Sequence, residues 1–233
     1  MEFATPLIPA RLIRRYKRFL ADVTLPDETT VTVHCPNPGS MMGLSTPGTK
    51  VWLEPNNDPK KKLKYGWRLV DHENGHFTGI DTSVPNKALK AALSAHQVHG
   101  LPPYVAVRPE VKYGENSRID FLLSGAGKDI YVEVKSVTLC RTNGLAEFPD
   151  SVTARGTKHL HELAQMARAG HHAVMFFLVQ RTDCTAMTLA NDIDPTYAKA
   201  FADARAAGVV CLAQCCDITP RAITLGHAIP QVP

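Results

Sequence analysis

Hydrophobic and polar positions alternate along the first third of the chain. From Phe19 to Leu25, the apolar Phe19, Ala21, Val23 and Leu25 alternate with Leu20, Asp22 and Thr24. Pro26-Asp27-Glu28 then supplies turn chemistry, and Val31, Val33 and Cys35 alternate in the next run. This pattern predicts a β-hairpin. Val51-Trp52-Leu53, Trp67 to Val70 and Phe77 to Ile80 read as further short strands, separated by Gly, Pro, Asn and Asp clusters. About five short strands without an intervening helix predict a small closed barrel over residues 1–82, an all-β fold like the OB-fold.

The period changes after Thr82 to Pro85, where the domain boundary is placed. Leu89, Ala92, Leu93 and His96 fall at helical spacing between Asn86, read as the N-cap, and Gly100, read as the stop. Three strand-like runs follow: Val105 to Val111, Ile119 to Leu123 and Ile130 to Val137. A helix is expected from Arg155 to Ala169, with Leu160, Leu163, Ala164 and Ala167 on one stripe and Gly170 closing it. Ala173 to Val179 is almost unbroken apolar sequence, as in a strand covered on both faces. Asp194-Pro195 opens another helix, ending at Gly208, and Val209 to Ala213 is a last core strand. The plan for residues 83–233 is an α/β domain with a mixed sheet flanked by helices. A fragment starting near Val84 is expected to fold alone, since it carries its own sheet and helices.

Composition narrows the class. The 233 residues are 44% hydrophobic and 21% charged, with a formal net charge of +4, which suits a folded core and permits a polyanionic partner. Arg11, Arg14, Arg15, Lys17 and Arg18 crowd the first segment, with Tyr16 and Phe19 among them; Lys60, Lys61, Lys62 and Lys64 form a second knot. The first group suits phosphate contacts and base stacking on a barrel face, with an ordinary solvated face as the rival reading. There is no secretory pattern at Met1 to Ala10 and no apolar run near the roughly 18 residues of a membrane span, so a cytoplasmic location is expected. The six cysteines show no CxxC pair and read as reduced packing residues. GxSxG, P-loop and GxGxxG motifs are absent. His159 and His161, two apart on a helix, point about 200° apart and cannot share a metal. His72 and His76 flank a loop and read as a surface turn.

The segment from Ser117 to Ser136 carries the clearest chemistry. Asp120 opens an apolar run; after a short turn, Tyr131-Val132-Glu133-Val134-Lys135 follows. Glu133 and Lys135 share one strand face, and a hairpin can bring Asp120 beside Glu133. Paired carboxylates repel unless a cation lies between them, and a hard divalent ion such as Mg²⁺ prefers such oxygens. A water on that ion, with Lys135 to orient it or to neutralise charge, suits attack on a phosphodiester. Acid-x-Lys triplets arise about once by chance in such a chain. Glu110-Val111-Lys112 and Asp58-Pro59-Lys60 are two more, so a plain Glu133–Lys135 ion pair is the rival. The order acid, strand, turn, apolar-Glu-apolar-Lys resembles the PD-(D/E)XK nuclease signature.

Longer motifs are more specific. His34-Cys35-Pro36-Asn37-Pro38-Gly39-Ser40-Met41 resembles the HCPNTGSM segment of the sugar fermentation stimulation protein A (SfsA) family. Pro47 to Trp52, Glu110 to Gly114, Ser117 to Phe121, Tyr131 to Leu139, Phe148-Pro149-Asp150, Lys158-His159-Leu160 and Asp192 to Pro195 match in order. The resemblance implies an OB-fold joined to a PD-(D/E)XK nuclease-like domain, non-sequence-specific DNA binding and a role in regulating sugar (maltose) metabolism. It implies Asp120, Glu133 and Lys135 as catalytic residues. Asp120 and Glu133, with Glu110 as a third candidate, would be ligands of Mg²⁺ or Mn²⁺. DNA contacts would come from Arg11, Arg14, Lys17, Arg18, Asn37, Ser40, Arg118, Arg155 and Lys158. Non-catalytic DNA binding is the alternative. Pro38 stands where the family has threonine, Ala154 where it has glutamate and Thr157 where it has glutamine. The helix from Asn86 to Gln97 also lacks the glutamate that many such nucleases carry.

Overall fold

The structure, a computed structural model, describes residues 1–114, 117–125 and 127–232. Six strands come first: β1 (Ile8–Tyr16), β2 (Leu20–Thr24), β3 (Thr30–His34), β4 (Lys50–Pro55), β5 (Tyr65–Asp71) and β6 (Phe77–Gly79). Their order is β3-β2-β1-β4-β5-β6, and an additional β3–β5 pairing through His34 and Gly66 closes the first five into a barrel. Closure removes the free sheet edges. Leu12, Val23, Val33, Val51, Leu53 and Trp67 fill the interior. The expected hairpin is present, with register running from Leu20↔His34 to Thr24↔Thr30.

β1 did not stand out in the alternation. The β1–β2 register shifts between Leu12 and Arg14, so the bulge interrupts the two-residue period and leaves Ile13 exposed.

The second part contains α1 (Val84–Ser94), β7 (Ala106–Tyr113), β8 (Ser117–Ser124), β9 (Ile130–Val137), β10 (Leu139–Thr142), β11 (Leu145–Phe148), α2 (Ala154–Arg168), β12 (His172–Val179), β13 (Ala186–Leu189), α3 (Pro195–Ala206), β14 (Val210–Ile218) and β15 (Ile223–Ala228). A six-stranded mixed sheet has the order β15-β14-β12-β9-β8-β7. The β9–β12–β14 centre is parallel and both margins are antiparallel. β12 is buried along nearly its whole length, as its apolar run requires. β10, β11 and β13 form a small separate sheet.

Helices α2 and α3 cover one face, where Leu160, Leu163, Tyr197 and Phe201 meet Met175, Phe177 and Val179. Helix α1 covers the other, where Leu89 and Leu93 share a cluster with Val132, Val174 and Phe176. Leu7 and Leu69 belong to that second cluster, and Trp52 and Phe77 pack against it. The barrel therefore supplies part of the apolar cover of the α/β sheet, whereas an independent core was expected for residues 83–233.

α1 begins after Ser83, with proline in its first turn, so Asn86 lies inside the helix and is not its N-cap. The helix ends at Ser94; His96 takes a left-handed φ of 55° before Gly100 is reached. Thr153 caps α2 by accepting the Gly156 N–H, and Asp194 caps α3 by accepting the Tyr197 N–H. Among the described residues, no helix is long and apolar enough to cross a membrane.

Candidate metal centre and basic surface

The acidic centre forms where β7 and β8 roll over. On β7, Val107 packs on the α1 face, but Val111 and Tyr113 pack on the α2 face. On β8, Ile119 packs on the α2 face, but Phe121 packs on the α1 face. Strict alternation would keep each set on one side. Both strands change face at Glu110 and Asp120, and Glu110 has a left-handed φ of 54° there. The β8–β9 ladder runs from Leu123↔Ile130 to Phe121↔Val132. One step further, Asp120 and Glu133 face each other where the strands part.

The side chain of Asp120 occupies this parting. Its Oδ2 accepts the main-chain N–H of Val134 at 2.8 Å. Its Oδ1 accepts the Asn86 amide at 2.7 Å. Burial, reinforced by the neighbouring Glu133 charge, pushes the Asp120 carboxyl above the ordinary range, against the two hydrogen bonds and the charge of Lys135.

Glu133 is 2% exposed. Its Oε1 accepts Lys135 Nζ at 2.7 Å and lies against His159 Nδ1. Burial alone would raise its pKa, but the hydrogen bond from His159 and the charge of Lys135 outweigh it and hold the carboxyl below the ordinary range. Arg155 Nε approaches His159 Nε2 at 3.4 Å. His159 Nδ1 thus faces both Oε1 of Glu133 and the Lys135 ammonium, the latter at 3.2 Å, while Nε2 faces Arg155. Oε2 of Glu133 is buried and has no hydrogen-bond partner.

This arrangement fits a hard divalent cation. A carboxylate oxygen left without a donor in a buried site is costly, and a cation between Asp120 and Glu133 would relieve both that cost and their repulsion. Among the described residues, no group of three or more His, Cys, Asp or Glu side chains forms a metal cage. Two protein carboxylates with the remaining positions left to water match the preference of Mg²⁺ for retained hydration.

The expected third carboxylate is placed less closely. Glu110 lies across the ladder from Asp120, between the Pro109↔Phe121 and Val111↔Ile119 pairs. Its side chain is exposed, and its carbonyl accepts Arg118 Nη1 at 3.3 Å. Arg118 is likewise on the exposed rim.

The basic residues fall into two groups. Arg11 forks onto Glu73 through two 2.7 Å contacts. Arg14 pairs with Asp22 at 2.9 Å and lies over the Tyr16 ring. By contrast, Lys17 and Arg18 occupy the β1–β2 turn with φ of 49° and 63° and are exposed. Asn37 is 4% exposed; its Oδ1 accepts the Gly39 N–H and its amide donates to the Ile80 carbonyl. Its polar atoms therefore hold the loop. The Ser40 hydroxyl donates to the Asp150 carbonyl at 2.9 Å and joins barrel to α/β domain. Lys158 lies 3.6 Å from Glu162, one turn along α2.

Sequence reasoning did not assign His159, Asn86 or Tyr113 to the site. His159 and His161 do diverge, one buried and the other exposed, as their spacing requires. The buried Tyr113 hydroxyl is raised well above its ordinary value by burial first, then by the charges of Glu133, Glu162 and Asp120. It is a neutral neighbour of three carboxylates.

An OB barrel joined to a mixed-sheet α/β domain, with an Asp–Glu–Lys centre at the divergence of two strands, defines the class of protein. A family model described as the SfsA N-terminal OB domain matches residues 13–80, and one described as the sugar fermentation stimulation protein RE domain matches residues 83–222. The chain belongs to the sugar fermentation stimulation protein (SfsA) family. It is 70% identical over 230 residues to the sugar fermentation stimulation protein homolog of Ruegeria pomeroyi, covering 98% of this chain and 100% of that one. It is 68% identical to the homolog of Roseobacter denitrificans, covering 99% of each chain. The solved structure of Pyrococcus furiosus SfsA in complex with Ca²⁺ matches with a TM-score of 0.87 at 26% identity, over 100% of this chain and 98% of that one.

Proposed function

We propose that this protein is a divalent-cation-dependent phosphodiesterase acting on DNA without sequence specificity, with Mg²⁺ or Mn²⁺ held by Asp120 and Glu133. The observation that carries this reading is the orphaned, buried Oε2 of Glu133 beside an Asp120 whose charge it repels. The Ca²⁺ complex of the Pyrococcus furiosus relative supports a divalent ion. When bound, the cation supplies an acidified water and charge neutralisation at the phosphate. Lys135 presents an ammonium at the same carboxylate, placed to stabilise the negative charge that develops on the phosphorus oxygens. His159 and Arg155 fix the Glu133 carboxylate from behind. The exposed Lys17 and Arg18 and the α2 cations Arg155 and Lys158 attract the phosphate backbone. In the cell such a protein would work in the cytoplasm or on the nucleoid, and the family name points to regulation of sugar metabolism.

A second reading, DNA binding without cleavage, is favoured by one observation. Thr157, at the family's glutamine position, turns its hydroxyl back to the Thr153 carbonyl. Incubation of duplex, single-stranded and branched DNA with Mn²⁺ or Mg²⁺ separates the two readings. Cleavage that EDTA stops, and that falls at least about a hundred-fold in Glu133→Gln and Lys135→Ala, supports the phosphodiesterase. Binding of each substrate without any metal-dependent cleavage supports the second reading.

A further inference from the structure

We infer that the partner's preferred form is an unpaired DNA strand, laid from the β1–β2 turn of the barrel across the loop at 37–42 to the start of α2. This rests on DNA as the partner but not on cleavage. The first observation is where large apolar side chains remain exposed. Phe19 is 47% exposed, Met42 47% and Val152 74%. They lie on segments that hydrogen bonds tie together. The Arg15 guanidinium donates to the carbonyls of Arg18, Asn37 and Gly39, joining the turn to the loop. Ser40 joins the loop to Asp150, two residues before Val152, and Met42 N–H donates back to the Ser40 hydroxyl. Thr153 then caps α2, whose Arg155 reaches His159 and through it Glu133.

The second observation is which cations on this path are uncommitted. Among the described residues, Lys17 and Arg18 make no side-chain ion pair, whereas Arg11 and Arg14 are held by Glu73 and Asp22. The path thus interleaves exposed cations with exposed apolar side chains and leads to the acidic centre. Asp150 lies on it, and its Oδ2 is turned onto the Ser40 hydroxyl and the Met41 N–H. A duplex offers such a surface only phosphates, because its base faces are stacked inside. A single strand offers phosphates to Lys17, Arg18 and Arg155, and open base faces to Phe19, Met42 and Val152. Stacking on the Phe19 ring, with apolar contact to Met42 and Val152, tolerates any base, which agrees with binding that ignores sequence. The turns of an OB barrel are also suitable places for oligonucleotide contacts.

The test is fluorescence anisotropy in EDTA with full-length Glu133→Gln protein, so that cleavage plays no part. The probes are a labelled single-stranded oligonucleotide of mixed sequence and the duplex made from it. The single strand should bind about ten-fold tighter or more. Phe19→Ala should weaken single-strand binding about 5- to 100-fold, leave duplex binding within about two-fold and leave the thermal melt unchanged. Lys17→Glu with Arg18→Glu should weaken both probes and flatten the salt dependence. Equal or tighter duplex binding, or a Phe19→Ala protein that binds the single strand like its parent, overturns the inference while leaving the phosphodiesterase reading intact. Failure to bind either probe would count against DNA as the partner altogether.

Discussion

The main-chain N–H of Val134 donates to Oδ2 of Asp120 over 2.8 Å, at the place where β8 and β9 stop pairing. The aspartate thereby replaces a strand partner. Its charge is fixed beside Glu133, which lies on the neighbouring strand and is itself held by Lys135 and His159. The site is therefore built into the sheet, and its local fold keeps two like charges together.

That arrangement carries a cost without a cation. Asp120→Asn removes the repulsion, keeps an oxygen for the Val134 N–H, and faces an Asn86 amide that can flip to accept. The metal-free variant should melt roughly 2–4 °C above the parent at neutral pH. Mn²⁺ should raise the melting point of the parent but not of the variant. Differential scanning calorimetry in EDTA and in Mn²⁺ reads both. A destabilised variant that still responds to Mn²⁺ would contradict this account.

A second charge cluster lies away from the centre. Arg141 bridges Glu147 and Asp192, with its shortest contact to each at 2.6 Å. The Arg141 hydrogen bond holds Asp192 down at about 2, and the same guanidinium lowers Glu147. Both carboxyls are depressed in the folded state, so their contribution is present above their unfolded values of 3.8 and 4.5 and disappears as pH falls toward about 2. Arg141→Ala leaves the buried Glu147 without its cation and should cost about 1–3 kcal/mol at pH 7. The gap between parent and variant in urea unfolding should be flat above about pH 5 and close as pH falls below that. A gap independent of pH down to 2 would sink this assignment.

The shared apolar cluster leads to a third expectation. A fragment beginning at Val84 loses Leu7 and Leu69, and with them Trp52 and Phe77. Each buried apolar side chain is worth about 1.5–3 kcal/mol, so the fragment should unfold at a markedly lower urea concentration and bind a hydrophobic dye. An unchanged urea midpoint would show that the two parts have separate cores.

Much of this architecture can be read from periodicity where the period is undisturbed. The β2–β3 hairpin, the doubly covered β12 and the capped helices α2 and α3 all carry clean patterns. β1 does not, because its bulge shifts the period, and β10, β11, β13 and β15 are short or lie among turn residues. Of the site, Asp120, Glu133 and Lys135 were legible because two strands and a turn place them by simple geometry. The roll at Glu110 and Asp120 was not, since it depends on a left-handed backbone at a non-glycine residue. Nor was the approach of His159, because a histidine facing the sheet has no distinctive sequence neighbourhood. Asn86 had the chemistry of a cap, but its helix begins two residues earlier, which sends the amide to Asp120. The basic cluster near the start reads as a uniform footprint until Glu73, 62 residues away, is seen to neutralise Arg11.

The most direct test of the cation centre is crystallographic. Crystals of the full chain grown with Mn²⁺ should show one strong anomalous peak between the Asp120 carboxylate and Oε2 of Glu133, about 2.0–2.3 Å from an oxygen of each. The peak should vanish in Glu133→Gln. A map without density there, or with Mn²⁺ bound elsewhere while Glu133→Gln cleaves DNA as the parent does, would contradict the assignment of Asp120 and Glu133 as the metal ligands.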